Sequence, residues 1–204
     1  MRKLLIFIMF LFGGAVTMVS AQNMRSIFLN VPDEIFPLLS NNDRADLVDY
    51  IEAGMTAKVT NRLDGTTVLH ELESDYLRLA TTASSEVQLK LLPFQNDTVI
   101  CMIKTIKAEA ADSRIRFYDK EWNILDGDRM FRFPSIPEFF TSAVNEYVDK
   151  CDIYLVSLTL SATDNTLVAE YTMPTYMSVD DAKKVKPLLR KMVYKWNGSC
   201  YVIE

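Results

Sequence analysis

The densest set of chemically capable side chains in this sequence lies at residues 112–125, DSRIRFYDKEWNIL. Arg114 and Arg116 stand two apart, with Tyr118 and Trp122 following and the carboxylates of Asp112 and Asp119 on either side. On a strand, residues i and i+2 share a face, so the two guanidinium groups project together. They could hold a carboxylate or a glycan, with Tyr118 and Trp122 nearby as aromatic contacts. The same stretch also reads as a hairpin. Ile115 and Phe117 alternate inward, Asp119 opens a turn, Trp122 folds over the hairpin, and Ile124 and Leu125 begin the return strand. A strand's outer face is ordinarily polar, so the hairpin is the structural expectation and the arginine face the binding candidate.

Other chemistries find less support. His70 is the sole histidine and lies in the strand-like TTVLHEL, so a Ser-His-Asp or Cys-His arrangement would have to be built around it. No zinc spacing of cysteines and histidines can be written, and no metal site is expected. After residue 21 the glycines are Gly54, Gly65, Gly127 and Gly198, each isolated, which leaves no phosphate loop and no expected nucleotide or other cofactor. A glycosidase needs only two carboxylates, and Asp126 with Asp128, or Asp112 with Asp119, are the pairs on offer. Acidic residues in loops are more often solvated turn residues.

The ends and the composition bound the setting. Arg2 and Lys3 precede an apolar run over 4–12, and Val19-Ser20-Ala21 precedes Gln22, the layout of a cleaved secretory signal peptide over 1–21. The run is broken by Gly13-Gly14 and falls short of the roughly 20 apolar residues of a spanning helix. No transmembrane anchor is expected after cleavage. Loss of Arg2 and Lys3 moves the net charge from −5 to −7, 20 Lys and Arg against 27 Asp and Glu. That balance argues against nucleic acid as a partner, since such surfaces need basic stripes. The cysteines are Cys101, Cys151 and Cys200, an odd count; Cys101 sits in the apolar run TVICMIKTI, and Cys151 with Cys200 is the pair to expect if a disulfide forms.

The elements that would position the arginine face follow from period and turn chemistry. Asn42 or Asp43 can cap a helix carrying Leu47, Val48 and Ile51, which Gly54 ends; a shorter helical turn at 34–39 precedes it. From Met55 the period becomes two: a hairpin about Asp64-Gly65, then YLRLATT, EVQLKLL, TVICMIKTI and SRIRFYD, a meander of about six antiparallel strands. In EVQLKLL, Gln88 and Lys90 face away from Val87, Leu89 and Leu91, the pattern of a half-buried strand. Residues 126–150 break the pattern, with Pro134 and Pro137 and then a helical segment carrying Phe139, Phe140, Ala143, Val144 and Tyr147. Strands resume at IYLVSLTL and LVAEYTM; Ser178 and Asp181 form a capping box; Asn197-Gly198 marks a closing hairpin.

The segments MRSIFLNVPDEIFPLL, NDRADLVDYIEAG, ICMIKTIKAEAADSRIRFYD and VYKWNGSCYVIE together resemble an uncharacterised family of exported Bacteroidetes proteins, over residues 24–204. The resemblance implies a Gram-negative envelope setting, periplasmic or outer-membrane-associated. It brings no activity and no site residues with it.

The expected fold is α+β, an antiparallel, meander-rich sheet with helices segregated to one side, as a single domain over 22–204 or two subdomains joined near 126–138. The expected function is a non-enzymatic binding or accessory module for an envelope partner protein or a glycan. The alternative is a metal-independent hydrolase using a carboxylate pair. The exported protein is expected to begin at Gln22; intact-mass spectrometry of the envelope fraction should find residues 22–204, and an intact Met1 held in membranes would overturn the export reading.

Overall fold

A computed structural model describes residues 23–142 and 147–204. The segment 1–21 read as a signal peptide lies outside these residues, as does the middle of the helical segment expected from Phe139 onward. Two α-helices open the described chain. α1 (Met24–Leu29) is capped by Asn23, whose Oδ1 accepts the Ser26 amide at 3.0 Å. Sequence reasoning did not anticipate it, because six residues are too few to establish a helical period. α2 (Asn41–Glu52) is capped by Ser40 rather than by Asn42 or Asp43. Asp43 instead closes the capping box, its carboxylate accepting the Ser40 amide at 2.7 Å. Gly54, at φ +70°, ends the helix as expected, in a conformation that a Cβ would strain. Residues 33–38 form consecutive turns rather than a helix.

The meander follows, as six antiparallel strands in sequential order: β1 (Lys58–Thr60), β2 (Thr66–Leu72), β3 (Tyr76–Thr82), β4 (Ser85–Phe94), β5 (Asp97–Lys107) and β6 (Ala111–Tyr118). The first turn is held by Asn61, whose Oδ1 accepts the Leu63 and Gly65 amides at 3.0 and 3.1 Å. A second antiparallel sheet comprises β7 (Val156–Leu160), β8 (Thr166–Tyr171), β9 (Met192–Trp196) and β10 (Tyr201–Ile203), in order β10-β9-β8-β7. The fold is α+β. The helix α3 (Val179–Val185), between β8 and β9, carries the expected Ser178–Asp181 cap, with the Asp181 amide on Ser178 Oγ at 3.2 Å. The last hairpin turns on four residues, 197–200, rather than on Asn197-Gly198 alone. Asn197 Oδ1 accepts the Ser199 and Cys200 amides, both at 2.9 Å, which draws two further residues into the turn. Cys101, Cys151 and Cys200 are all free thiols.

Both faces of the large sheet are covered near its centre. On one, Leu77, Leu79, Val87, Leu89, Ile100 and Met102 share a core with Ile27, Phe28, Leu47 and Val48 of α1 and α2. On the other, Val99, Cys101, Ile103 and Phe117 join Val156, Leu158, Leu167 and Trp196 of the small sheet. The half-buried reading of β4 is therefore corrected: Gln88 and Lys90 are 4 % and 1 % exposed. Alternation tells that a strand's faces differ, not what lies over the second one.

What lies over it is β7, an edge strand that contacts β4, β5 and β6. Its pairing with β8 leaves the amides of Val156, Leu158 and Leu160 turned outward. Each meets a side chain of the large sheet: Asp112 Oδ1 at 3.3 Å, Ser113 Oγ at 3.0 Å and Gln88 Oε1 at 2.8 Å. Three polar side chains complete the edge's hydrogen bonding where a neighbouring strand would have done so. Replacing Gln88 by Leu, or Ser113 by Ala, should orphan a buried amide and cost about 1–3 kcal/mol, whereas the exposed Lys195→Ala should stay within about 0.5 kcal/mol. Urea unfolding of the three variants checks this; equal midpoints would show that β7 needs no such partners.

Candidate functional site

The opening stretch divides between core and surface. Asp119 builds its turn, with Oδ1 accepting the amides of Glu121 and Asn123 at 3.0 and 2.9 Å. The return is a single bridge, Tyr118 to Ile124, rather than a strand. Trp122 sits at φ +67°, a left-handed conformation costing a bulky residue on the order of 1–3 kcal/mol. Burial offsets that cost: its indole is 8 % exposed and packs on Tyr118, 4 % exposed, with ring centroids 5.4 Å apart. Both belong to the core shared with α1 and α2.

Arg114 and Arg116 are exposed on the same sheet face as that core. The β5–β6 register sets Lys104 directly opposite Arg114 and Met102 opposite Arg116. These four residues line a hollow of about 180 Å³. Among the described residues neither arginine has a hydrogen bond or an acidic partner within ion-pair distance. Lys104 donates to the carbonyl of Ile35 at 2.9 Å and lies 5.7 Å from the Phe36 ring centroid. Burial of this ammonium end, and then the charge of Arg116, hold its pKa below the ordinary lysine value. Like charges directly opposite on neighbouring strands are destabilising, and although Lys104 has its own contacts to Ile35 and Phe36, no side-chain partner among the described residues offsets the charge of either arginine. Lys104 was not singled out from the sequence. The signal was available: a tight β5–β6 turn at 108–110 places residue 104 across from residue 114.

Asp112 and Asp119 do not converge: they flank β6 at its two ends, about 20 Å apart for a strand of that length. Asp126 pairs with Arg129 at 2.9 Å on the surface. No group of three or more His, Cys, Asp and Glu suited to a metal occurs among the described residues. A larger hollow of about 510 Å³ opens on the other face, where His70, Arg78, Glu86 and Lys107 meet. Its charges are internally matched: Glu86 takes Lys107 at 2.6 Å and Arg78 at 3.5 Å, and Arg78 reaches Glu71 at 2.6 Å. The arginine face differs in having cations and, among the described residues, no matching anion.

Comparison with known proteins agrees with this architecture. Residues 16–201 match the family described as Protein of unknown function (DUF3256), and the chain belongs to that family. Among solved structures, a domain of an uncharacterized protein from Porphyromonas gingivalis W83 is similar at a TM-score of 0.77 and 27 % identity. The match covers 87 % of this chain and 97 % of that one. That organism is a Bacteroidetes species, consistent with the resemblance in the sequence. No curated protein matches.

Core and surface roles in residues 114–122 separate by stability. Trp122→Ala should cost about 3 kcal/mol through lost aromatic burial. Arg114→Ala and Arg116→Ala should each fall within about 0.5 kcal/mol or stabilise slightly, since each removes a like-charge contact. Denaturant unfolding of the single variants decides; a neutral Trp122→Ala would show that the indole contributes nothing to the fold.

Proposed function

We propose that this protein is an exported, non-enzymatic binding module that captures an acidic group on its envelope partner, through Arg114, Arg116 and Lys104. One observation carries the reading. In a chain of net charge −5, three cations gather about one hollow, and both arginines stand without a carboxylate among the described residues. Folding alone would have placed a glutamate opposite one of them, because an opposite-charge cross-strand pair stabilises by about 0.2–1 kcal/mol and a like-charge pair does the reverse. Local rules broken without structural compensation mark functional surfaces. Guanidinium groups suit planar, two-point recognition of carboxylate, and the adjacent Lys104 ammonium adds a third donor group. Tyr118 and Trp122 support the site from within: they anchor the end of β6 in the core, so the arginines project from a fixed strand. A binding module, rather than the alternative hydrolase, is favoured because Asp112 and Asp119 lie at opposite ends of β6 and Asp126 is engaged by Arg129.

Affinity electrophoresis provides the test. The protein should be retarded in gels containing polygalacturonate or polyglutamate, unaffected by neutral dextran, and released as ionic strength rises beyond about 0.15 M. The double variant Arg114→Ala/Arg116→Ala should run as in an empty gel. Equal retardation of parent and double variant would place the acidic contact elsewhere and remove this reading.

A further inference from the structure

The cationic hollow does not stand alone on its face. Lys104 also borders an apolar cleft of about 210 Å³, formed where the turns at 35–39 approach the ends of β3, β4 and β5. Ile35, Phe36, Pro37, Leu38 and Val87 line it, and Ile106 stands at its mouth. Ile106 lies two residues beyond Lys104 on the same sheet face, yet is 58 % exposed. For scale, an apolar cavity of about 150 Å³ takes up benzene. The Lys104 side chain is the partition between the two spaces. Its ammonium is drawn toward the Ile35 carbonyl and the Phe36 ring on the cleft side, while Arg114 faces it across the strands on the other.

From this juxtaposition we propose that the hollow also takes a monomeric amphiphile: an oxyanion head held by Arg114, Arg116 and Lys104, and a single apolar chain laid over Ile106 into the cleft. The proposal rests on the reading of the hollow as an anion site and adds the ligand's second half. A purely acidic ligand would leave the cleft and Ile106 without an occupant; a purely apolar one would bring no counter-charge to the arginines. One molecule carrying both groups fits both surfaces, and the hydrophobic contribution rises with each methylene buried. The cleft has room for one chain and is bounded by the 35–39 turns and the sheet, which suits a free molecule rather than a bilayer surface.

The test is isothermal titration calorimetry of the full exported chain with butyrate, octanoate and octyl phosphate, each kept below its aggregation threshold. Octanoate and octyl phosphate should bind at least tenfold more tightly than butyrate. Ile106→Asn, at an exposed position that should leave the melting temperature unchanged, should abolish this chain-length preference, octanoate then binding no more tightly than butyrate. Arg116→Gln should weaken all three ligands together. Equal affinities for butyrate and octanoate, both weakened by Arg116→Gln, would overturn the amphiphile and leave the anion site standing. Binding of none of the three would remove both readings. Uptake only onto vesicles of anionic phospholipid, with no binding of free octanoate, would overturn the monomeric ligand proposed here.

Discussion

Everything on the second face of the large sheet depends on how the free edge of β7 is satisfied. An edge strand presents a row of amides and carbonyls that must find partners or remain in water. Here the outward amides of Val156, Leu158 and Leu160 are met by Asp112, Ser113 and Gln88, side chains of β6 and β4. The small sheet can therefore pack its edge against another sheet's face without stranding these amides. The arrangement brings Val156 and Leu158 into one core with Cys101, Ile103 and Phe117. Without those acceptors, burying the same apolar residues would bury unpaired amides at about 1–3 kcal/mol each.

The polar residues enclosed by this packing are linked to one another. Ser113 Oγ also bonds Thr105 Oγ1 at 2.8 Å, and Gln88 Nε2 donates to Glu86 at 3.3 Å. Glu86 then continues outward to Lys107 and Arg78. Lys90, buried beneath the small sheet, pairs with Asp75 at 2.9 Å and donates to the Ala162 carbonyl at 3.3 Å. A half-satisfied chain of this kind would be worse than an apolar core, because each unpaired member carries its full desolvation cost. Each of these buried side chains has a partner, so the interface is specific as well as apolar.

The opposite face solves a different problem. α1 and α2 share a core with residues of β2, β3, β4 and the middle of β5, and of β6 only Tyr118 joins it. Tyr118 and Trp122 close the core at one end of that strand, and Arg114 and Arg116 continue the same face beyond cover. Charge matching, so thorough around Glu86, is missing here. That contrast within one sheet is the reason to read the arginine face as functional. The larger hollow about His70 is already neutralised by its own residues and lacks this signature.

Period and turn chemistry alone determined the six-strand meander, the closing strands, the α2 stop at Gly54 and the Ser178 cap, because each depends on residues close in the chain. The paired projection of Arg114 and Arg116 was legible for the same reason: a spacing of two on a strand puts side chains on one face. Sequence could not tell that Gln88 and Lys90 would be buried, since their alternation is identical whether water or a second sheet lies above them. The inward fold of Trp122 was legible, but not the company it keeps; its indole joins a core with residues of α1 and α2, which are distant in sequence. Lys104 became part of the site only through cross-strand register, and the apolar cleft only through the approach of residues 35–39 to β5, some seventy positions away in the chain. Local spacing decided which residues could share a face, and long-range packing decided which of those faces remained open.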